Sequence, residues 1–231
     1  MDIYNSRKKT TQEVYDSFNN LVFSHDSSVI FKMIVKINLY NKIKELNGDI
    51  LEFGVFKGAS IALWLQLVKL NEPNALTSVI GFDYFDKSKT LKNLDKKSKK
   101  LMGDVLNREN NNKNLQMNTI FEKCNKILPG KLQLIKGDAC KTCVTFKNDN
   151  PGVRIKLLYL DMDLDKPTFI VLKNLWSLVV EDGIIVLDEY GYHKWDESNG
   201  VDRFLKTVKG KYVLENTNIH SPTLIIKKIR F

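Results

Sequence analysis

Residues 49–60 read Asp49-Ile50-Leu51-Glu52-Phe53-Gly54-Val55-Phe56-Lys57-Gly58-Ala59-Ser60. The short apolar run to Phe53 is followed at once by a glycine-bearing turn, and then by Ile61, Leu63, Trp64 and Val68 at helical spacing. That is strand, tight turn, helix. Glycine lets a turn adopt backbone angles and close approaches that a Cβ forbids. In doubly wound sheets the crevice beside such a turn is where ligands bind. A dinucleotide fingerprint would read G-x-G-x-x-G; this turn reads G-x-x-x-G with Glu52 two residues before the first glycine, which disfavours pyrophosphate. An acidic residue entering the turn suits a ligand with a positive end, such as the amino group and sulfonium of S-adenosylmethionine. The plain alternative is a strand-to-helix connection that binds nothing.

Working outward, the same alternation of short apolar runs and helices continues along the chain. Strands are expected at 49–53, 78–82, 132–136, 156–160 and 183–187, with 212–216 and 223–228 as an antiparallel edge. The expected fold is α/β, a doubly wound, mostly parallel seven-stranded sheet. Before it, residues 1–47 form a helical lead-in. Thr10 with Glu13 has capping-box spacing ahead of Val14, Phe18, Leu21 and Val22. Ile30, Ile34, Ile37 and Leu46 repeat at helical intervals up to Asn47-Gly48. Phe169, Leu172, Leu175, Trp176 and Val179 form the core face of a helix expected to end at Asp182-Gly183. Between the second and third strands, residues 86–130 are rich in Lys and Asn, notably Asn107 to Asn114, with weak apolar periodicity from Met117 to Ile127. Such an insertion is either a lid over substrate or a mobile loop. No composition break divides the chain, so 1–231 is expected to be one domain.

Hydrophobic residues at 43% and charged residues at 27% are enough for a substantial core and exclude global disorder. The start, Met1 to Thr11, lacks an apolar signal, and no run is long enough to span a membrane. Cys124, Cys140 and Cys143 cannot all pair, which fits a reducing, cytoplasmic setting. Cys140-x-x-Cys143 alone is a weak redox or zinc signal. A net charge of +9 and a pI near 9.3 allow a polyanion partner or a solvated lysine surface. Lys96, Lys97, Lys99 and Lys100 have no interleaved arginine or aromatic residues, so nucleic acid is the weaker reading.

The strand ends carry the chemistry. Gly81-Phe82-Asp83 places a carboxylate where a ribose diol is gripped in doubly wound folds, and Gly137-Asp138-Ala139 adds another acidic turn on the same edge. The candidate cofactor set is therefore Glu52, Gly54, Val55, Phe56, Gly58, Ser60, Asp83, Asp138 and Ala139. Strand four runs into Asp161-Met162-Asp163-Leu164-Asp165 and strand five into Asp188-Glu189-Tyr190-Gly191. In a parallel sheet those tips share one edge, so Asp161, Asp188 and Glu189 converge. Like charges so close call for a divalent cation or for Lys and Arg partners. All-oxygen ligands suit Mg²⁺, Mn²⁺ or Ca²⁺ rather than zinc. Such a metal matters for an alcohol nucleophile, which is as hard to ionise as water with its pKa of about 16. Asp161 is then the candidate metal ligand and base, and His193 either a second candidate base or a surface residue. Tyr192 and Trp195 either contact substrate or pack the loop.

Taken in order, Glu52-x-Gly54-Val55-x-x-Gly58, Asp83-Tyr84-Phe85, Leu160-Asp161-x-Asp163-Leu164, Asp188-Glu189-Tyr190-Gly191 and Val201-Asp202-x-Phe204 resemble the macrocin O-methyltransferase family, whose members methylate sugar hydroxyls on macrolides and related glycosides. The resemblance covers residues 48–205. It implies a Rossmann-like enzyme dependent on S-adenosylmethionine and Mg²⁺, a homo-oligomer such as a dimer, with Asp161, Asp188 and Glu189 on the metal. The chain departs from the family at Glu189, where the family has a second aspartate, at Met162, where it has glycine, and after Phe85, where a Glu-Gly-Leu-Pro segment is missing. A macrolide acceptor therefore does not transfer, and a sugar of a glycan or nucleotide-linked precursor replaces it as the expectation. An RNA methyltransferase using the basic surface and a non-catalytic nucleotide-binding or interaction domain are the rival expectations.

Overall fold

The computed structural model describes residues 11–72, 74, 76–92, 94–107 and 112–229. The elements run α1 (Gln12–Val22), α2 (Ser28–Ile43), β1 (Asp49–Phe53), α3 (Ala59–Asn71), β2 (Val79–Asp83), α4 (Lys87–Lys92), α5 (Lys96–Asn107), α6 (Met117–Asn125), β3 (Leu132–Lys136), α7 (Ala139–Asp149), β4 (Ile155–Leu160), α8 (Asp165–Leu175), β5 (Val179–Leu187), α9 (Glu197–Thr207), β6 (Tyr212–Asn216) and β7 (Leu224–Lys228). The seven strands form one mixed, mostly parallel sheet in the order β3-β2-β1-β4-β5-β7-β6, with β7 antiparallel to both neighbours.

Strand side chains alternate between two buried layers, as a sheet covered on both faces requires. Leu51, Phe53, Phe82, Leu158, Leu160 and Leu187 pack under α7, α8 and α9. Ile50, Val79, Leu157, Tyr159 and Val186 pack under α2, α3 and α6. This alternation also settles where the acidic tips go. Glu52 and Tyr159 fall on the α2–α3 face, and Asp161 and Asp188 continue the same parity just past their strands.

The structure departs from the sequence expectations in several places. The Thr10 capping box lies outside the described residues; α1 is capped by Thr11, whose Oγ1 accepts from the Val14 amide at 3.3 Å. The Phe169–Val179 helix ends at Leu175, and β5 already begins at Val179. Asp182, with φ 61°, lies where the β4–β5 register shifts, so what reads as a helix exit is an irregularity inside a strand. The described residues of segment 86–130, expected as a lid or mobile loop, carry α4, α5 and α6, and α6 buries Ile120 and Cys124 in the core behind the glycine turn. The buried face of α2 is Lys36, Leu39, Tyr40 and Ile43, whereas Ile34 and Ile37 of the expected apolar stripe are exposed.

Candidate active site

The turn after β1 is held from outside itself. Gly54 has φ 96°, and a Cβ there would lie 1.9 Å from the Asp161 carbonyl oxygen, so only glycine lets β1 and β4 close at their tips. Asp83 turns inward. Its Oδ2 accepts from the amides of Val55 (2.8 Å) and Phe56 (3.0 Å), and its Oδ1 from that of Phe85 (3.0 Å). Burial pushes its pKa up against those hydrogen bonds. The residue expected to grip a ribose thus clamps the turn, consuming amides that would otherwise attract an anion. Phe56 adopts φ 50° and is partly exposed at the turn's crest. Gly58, at φ 82°, is the N-cap of α3 and faces Ile120 of α6.

Glu52 is only 1% exposed. Its Oε2 accepts from Ser60 Oγ (2.5 Å) and Trp64 Nε1 (2.7 Å), while Lys36 of α2 donates to Ser60 Oγ. Burial raises the Glu52 pKa, and the Lys36 charge with the two hydrogen bonds opposes the rise. Asp138 lies at the neighbouring tip as the N-cap of α7, accepting from the Cys140 amide at 2.9 Å, with Ala139 packed beside the core. Burial, then the Asp138 charge, pushes the Cys140 thiol up to about 11, and Cys143 is likewise up to about 11, so the C-x-x-C pair offers no ready thiolate.

On the other side of Gly54 the tips of β4 and β5 bring Asp161, Asp163, Asp188 and Glu189 together with Glu197 of α9. Burial, then the charges of Asp188 and Asp163, hold Asp161 well above the usual carboxylate range, with Lys36 and Lys32 opposing. Asp163, at φ 63°, is pushed up to about 7 by burial and by Glu189 and Asp188. Asp188 is 2% exposed, accepts from Tyr159 OH and Ser221 Oγ, and lies 3.6 Å from Lys32 Nζ. Glu197, fully buried, accepts from the Glu189 amide at 3.0 Å, and burial with the surrounding carboxylates raises its pKa strongly. Glu189 Oε2 and Glu197 Oε1 are buried without a hydrogen-bond partner. Among the described residues no three His, Cys, Asp or Glu side chains close a coordination shell. The donor chemistry nonetheless suits a hard cation: acid oxygens in excess, two of them orphaned.

His193 is exposed and packs edge-on against Tyr192, with ring centroids 4.9 Å apart. The histidine nearer the cluster is His220: burial and then the Asp188 charge raise the Glu189 pKa, and His220 and Lys32 oppose the rise. Sequence reasoning missed Lys32, Lys36, Tyr159, Glu197 and Ser221 as site residues. The spacing of Lys32 and Lys36, one helical turn apart, was the available signal. A cavity of about 390 Å³ opens beside the β2 tip, lined by Phe85, Asp86, Ser88, Gln116, Met117 and Lys136 among others. Another, of about 290 Å³, lies by Asp49 and Ser78 at the opposite strand ends and touches none of these tips.

A family model described as a methyltransferase domain matches residues 51–190, from β1 through the tip of β5. Among solved structures the chain is similar to the apo form of CalS11, a TDP-rhamnose 3′-O-methyltransferase in calicheamicin biosynthesis, at 20% identity over 95% of this chain and 88% of that one, with TM-score 0.67. The O-methyltransferase NovP matches at 16% identity over 87% and 81%, TM-score 0.68. An O-methyltransferase from Bacillus cereus in complex with SAH matches at 12% identity over 94% and 87%, TM-score 0.51. No curated protein sequence matches the chain.

Proposed function

The chain belongs to the methyltransferase domain family, and on that premise we propose that it is an S-adenosylmethionine-dependent, divalent-metal-assisted O-methyltransferase acting on a hydroxyl of a sugar or glycosylated small molecule. A glycan or nucleotide-sugar precursor is the acceptor class we favour. The observation that carries this reading is the juxtaposition, across Gly54, of a buried acidic glycine turn and a surplus of carboxylates at the β4 and β5 tips. CalS11, which shares the fold and is named as a TDP-rhamnose 3′-O-methyltransferase, supports the acceptor class.

When bound, S-adenosylmethionine supplies an electrophilic methyl group, and Mg²⁺ or Mn²⁺ a charge that eases ionisation of a coordinated hydroxyl. Glu52, with the turn 54–60, would hold the cofactor's positive end, and Asp138-Ala139 would border its nucleoside. Asp161, Asp188 and Glu189 would hold the cation. Asp161, at the β4 tip against Gly54, is the base we favour. His193, exposed and packed on Tyr192, is the second candidate. We place RNA second as an acceptor, because the lysines at 96, 97, 99 and 100 have no interleaved arginine or aromatic residues.

No helix among the described residues is long and apolar enough to cross a membrane. The three cysteines are free thiols, in keeping with the cytoplasmic setting we propose. A homodimer is the proposed assembly. α1 buries none of its side chains, and Val14, Phe18, Phe23, Phe31 and Ile34 are all exposed. An isolated helix of this length is marginal in water, so the apolar face calls for a cover. Sedimentation velocity should give a dimer for the wild type and a monomer for Phe18→Asp; a monomeric wild type overturns the assembly.

The catalytic reading is tested by calorimetric titration of S-adenosylmethionine with and without Mg²⁺, followed by methyl transfer to sugar and nucleotide-sugar acceptors. Saturable binding and turnover are expected. A folded wild type that binds no S-adenosylmethionine overturns it.

A further inference from the structure

Beside Glu52 the fold already places an ammonium. Lys36 comes from the lead-in helix α2, is only 7% exposed, and donates to Ser60 Oγ at the first turn of α3. Its Nζ lies 4.1 Å from the centroid of Tyr159 and 5.4 Å from that of Trp64. Burying an ammonium is expensive unless charge and hydrogen bonds compensate, and the nearest hydrogen-bonding acceptor here is a hydroxyl that itself donates to Glu52. An ammonium carries three donors, of which Ser60 takes one. The positive end of α3 points at the same place, since Ser60 lies in that helix's first turn.

We propose that Lys36 binds the carboxylate of the amino-acid end of S-adenosylmethionine. The inference rests on the reading that the glycine turn holds this cofactor. The amino-acid end carries an ammonium and a carboxylate on one carbon, so a complementary pocket must offer an acid and a cation side by side. Glu52 and Lys36, bridged by Ser60, are such a pair. In many folds a carboxylate would instead be taken by the amides of the turn. Here Asp83 takes the amides of Val55 and Phe56, and Lys36 supplies a cation beside the acid. The lead-in then completes the cofactor site rather than merely preceding the domain.

The test compares S-adenosylmethionine with its decarboxylated form, which keeps the sulfonium and the ammonium and lacks only the carboxylate. Calorimetry on the full chain should show the wild type preferring S-adenosylmethionine by about tenfold or more, the range of a charge-assisted hydrogen bond. Lys36→Met should lose that preference, binding S-adenosylmethionine about tenfold more weakly and the decarboxylated form within about twofold of wild type, while Lys36→Arg keeps the charge and most of the preference. Equal weakening of both ligands would mean that Lys36 only shapes the pocket, and no weakening that it does not touch the cofactor; either overturns the proposal. A Lys36→Met protein that fails to fold transfers the decision to the wild type and Lys36→Arg, where absence of any preference for the carboxylate overturns it. A wild type that binds neither ligand is the distinct result that removes the cofactor reading itself.

Discussion

Both ends of the sheet bury charge, and they resolve it in opposite ways. At the amino ends of the strands Lys156, fully buried on β4, meets Glu72 at 2.7 Å. Glu72 also accepts from Tyr40 OH and, at 2.7 Å, from Thr77 Oγ1. Burial alone would raise the pKa of Glu72, but these hydrogen bonds and the Lys156 charge win, and it lies below the ordinary value. At the carboxyl ends Asp161, Asp163, Glu189 and Glu197 are all raised, first by burial and then by the charges of the carboxylates they face. The two ends differ in depth of burial and in partners. A matched cluster ties elements together, whereas one with surplus like charge awaits a cation, a proton or a substrate.

The largest expected effect separates the two ends by what each loses. Asp161→Asn should lower methyl transfer about 10²- to 10⁴-fold, the usual worth of a positioned base, while leaving thermal stability unchanged or higher, since a like charge is removed. Glu72→Gln should do the converse. Breaking a buried pair while leaving Lys156 uncompensated costs about 3–5 kcal/mol, read from urea unfolding, with kcat of the remaining folded protein little altered. If Asp161→Asn unfolds the protein, or Glu72→Gln leaves its stability intact, the division between a catalytic and a structural end breaks down.

The sequence expressed the frame more fully than the site. All seven strands could be read, because runs such as Ile155–Leu160 are buried on both faces and hold little but apolar side chains. The start of β5 could not, since Asp182-Gly183 has the chemistry of a helix exit and sits instead at a register shift. The acidic tips were legible as positions but not as directions. Nothing in Gly81-Phe82-Asp83 says that the carboxylate turns back onto the amides of Val55 and Phe56 rather than out to a ribose. Lys36 was hidden for a related reason. A lysine in an amphipathic helix reads as its solvent face, and α2 shows an apolar stripe through Ile34 and Ile37 that the fold leaves exposed. Glu197 likewise reads as an ordinary acidic residue in a helix's first turn, favourable to the helix dipole, until the fold sets it behind Glu189.

The smallest effect sharpens the comparison through pH. A carboxyl whose folded pKa is lowered, as for Glu72, contributes stability that is present above its unfolded value and is lost as pH falls through the folded one. A carboxyl whose folded pKa is raised, as for Glu197, acts with the opposite sign. Protonated, it costs no charge burial; as pH rises through the raised value the folded state must ionise it, and stability falls. The two ends should therefore govern opposite limbs of the stability profile of the metal-free protein. Glu197→Gln keeps an oxygen for the Glu189 amide and removes the charge behind the orphaned Oε1. At neutral pH it should stabilise on the order of 1 kcal/mol, about 2–4 °C in Tm for a chain of this size. The gain should grow toward alkaline pH and vanish in acid, where Glu197 is already neutral. Scanning calorimetry between pH 5 and 9 with a chelator present reads it directly. A gain independent of pH would locate the effect in packing, and a loss would mean that the Glu197 charge is already matched, which would make the carboxyl end a structural cluster like the amino end.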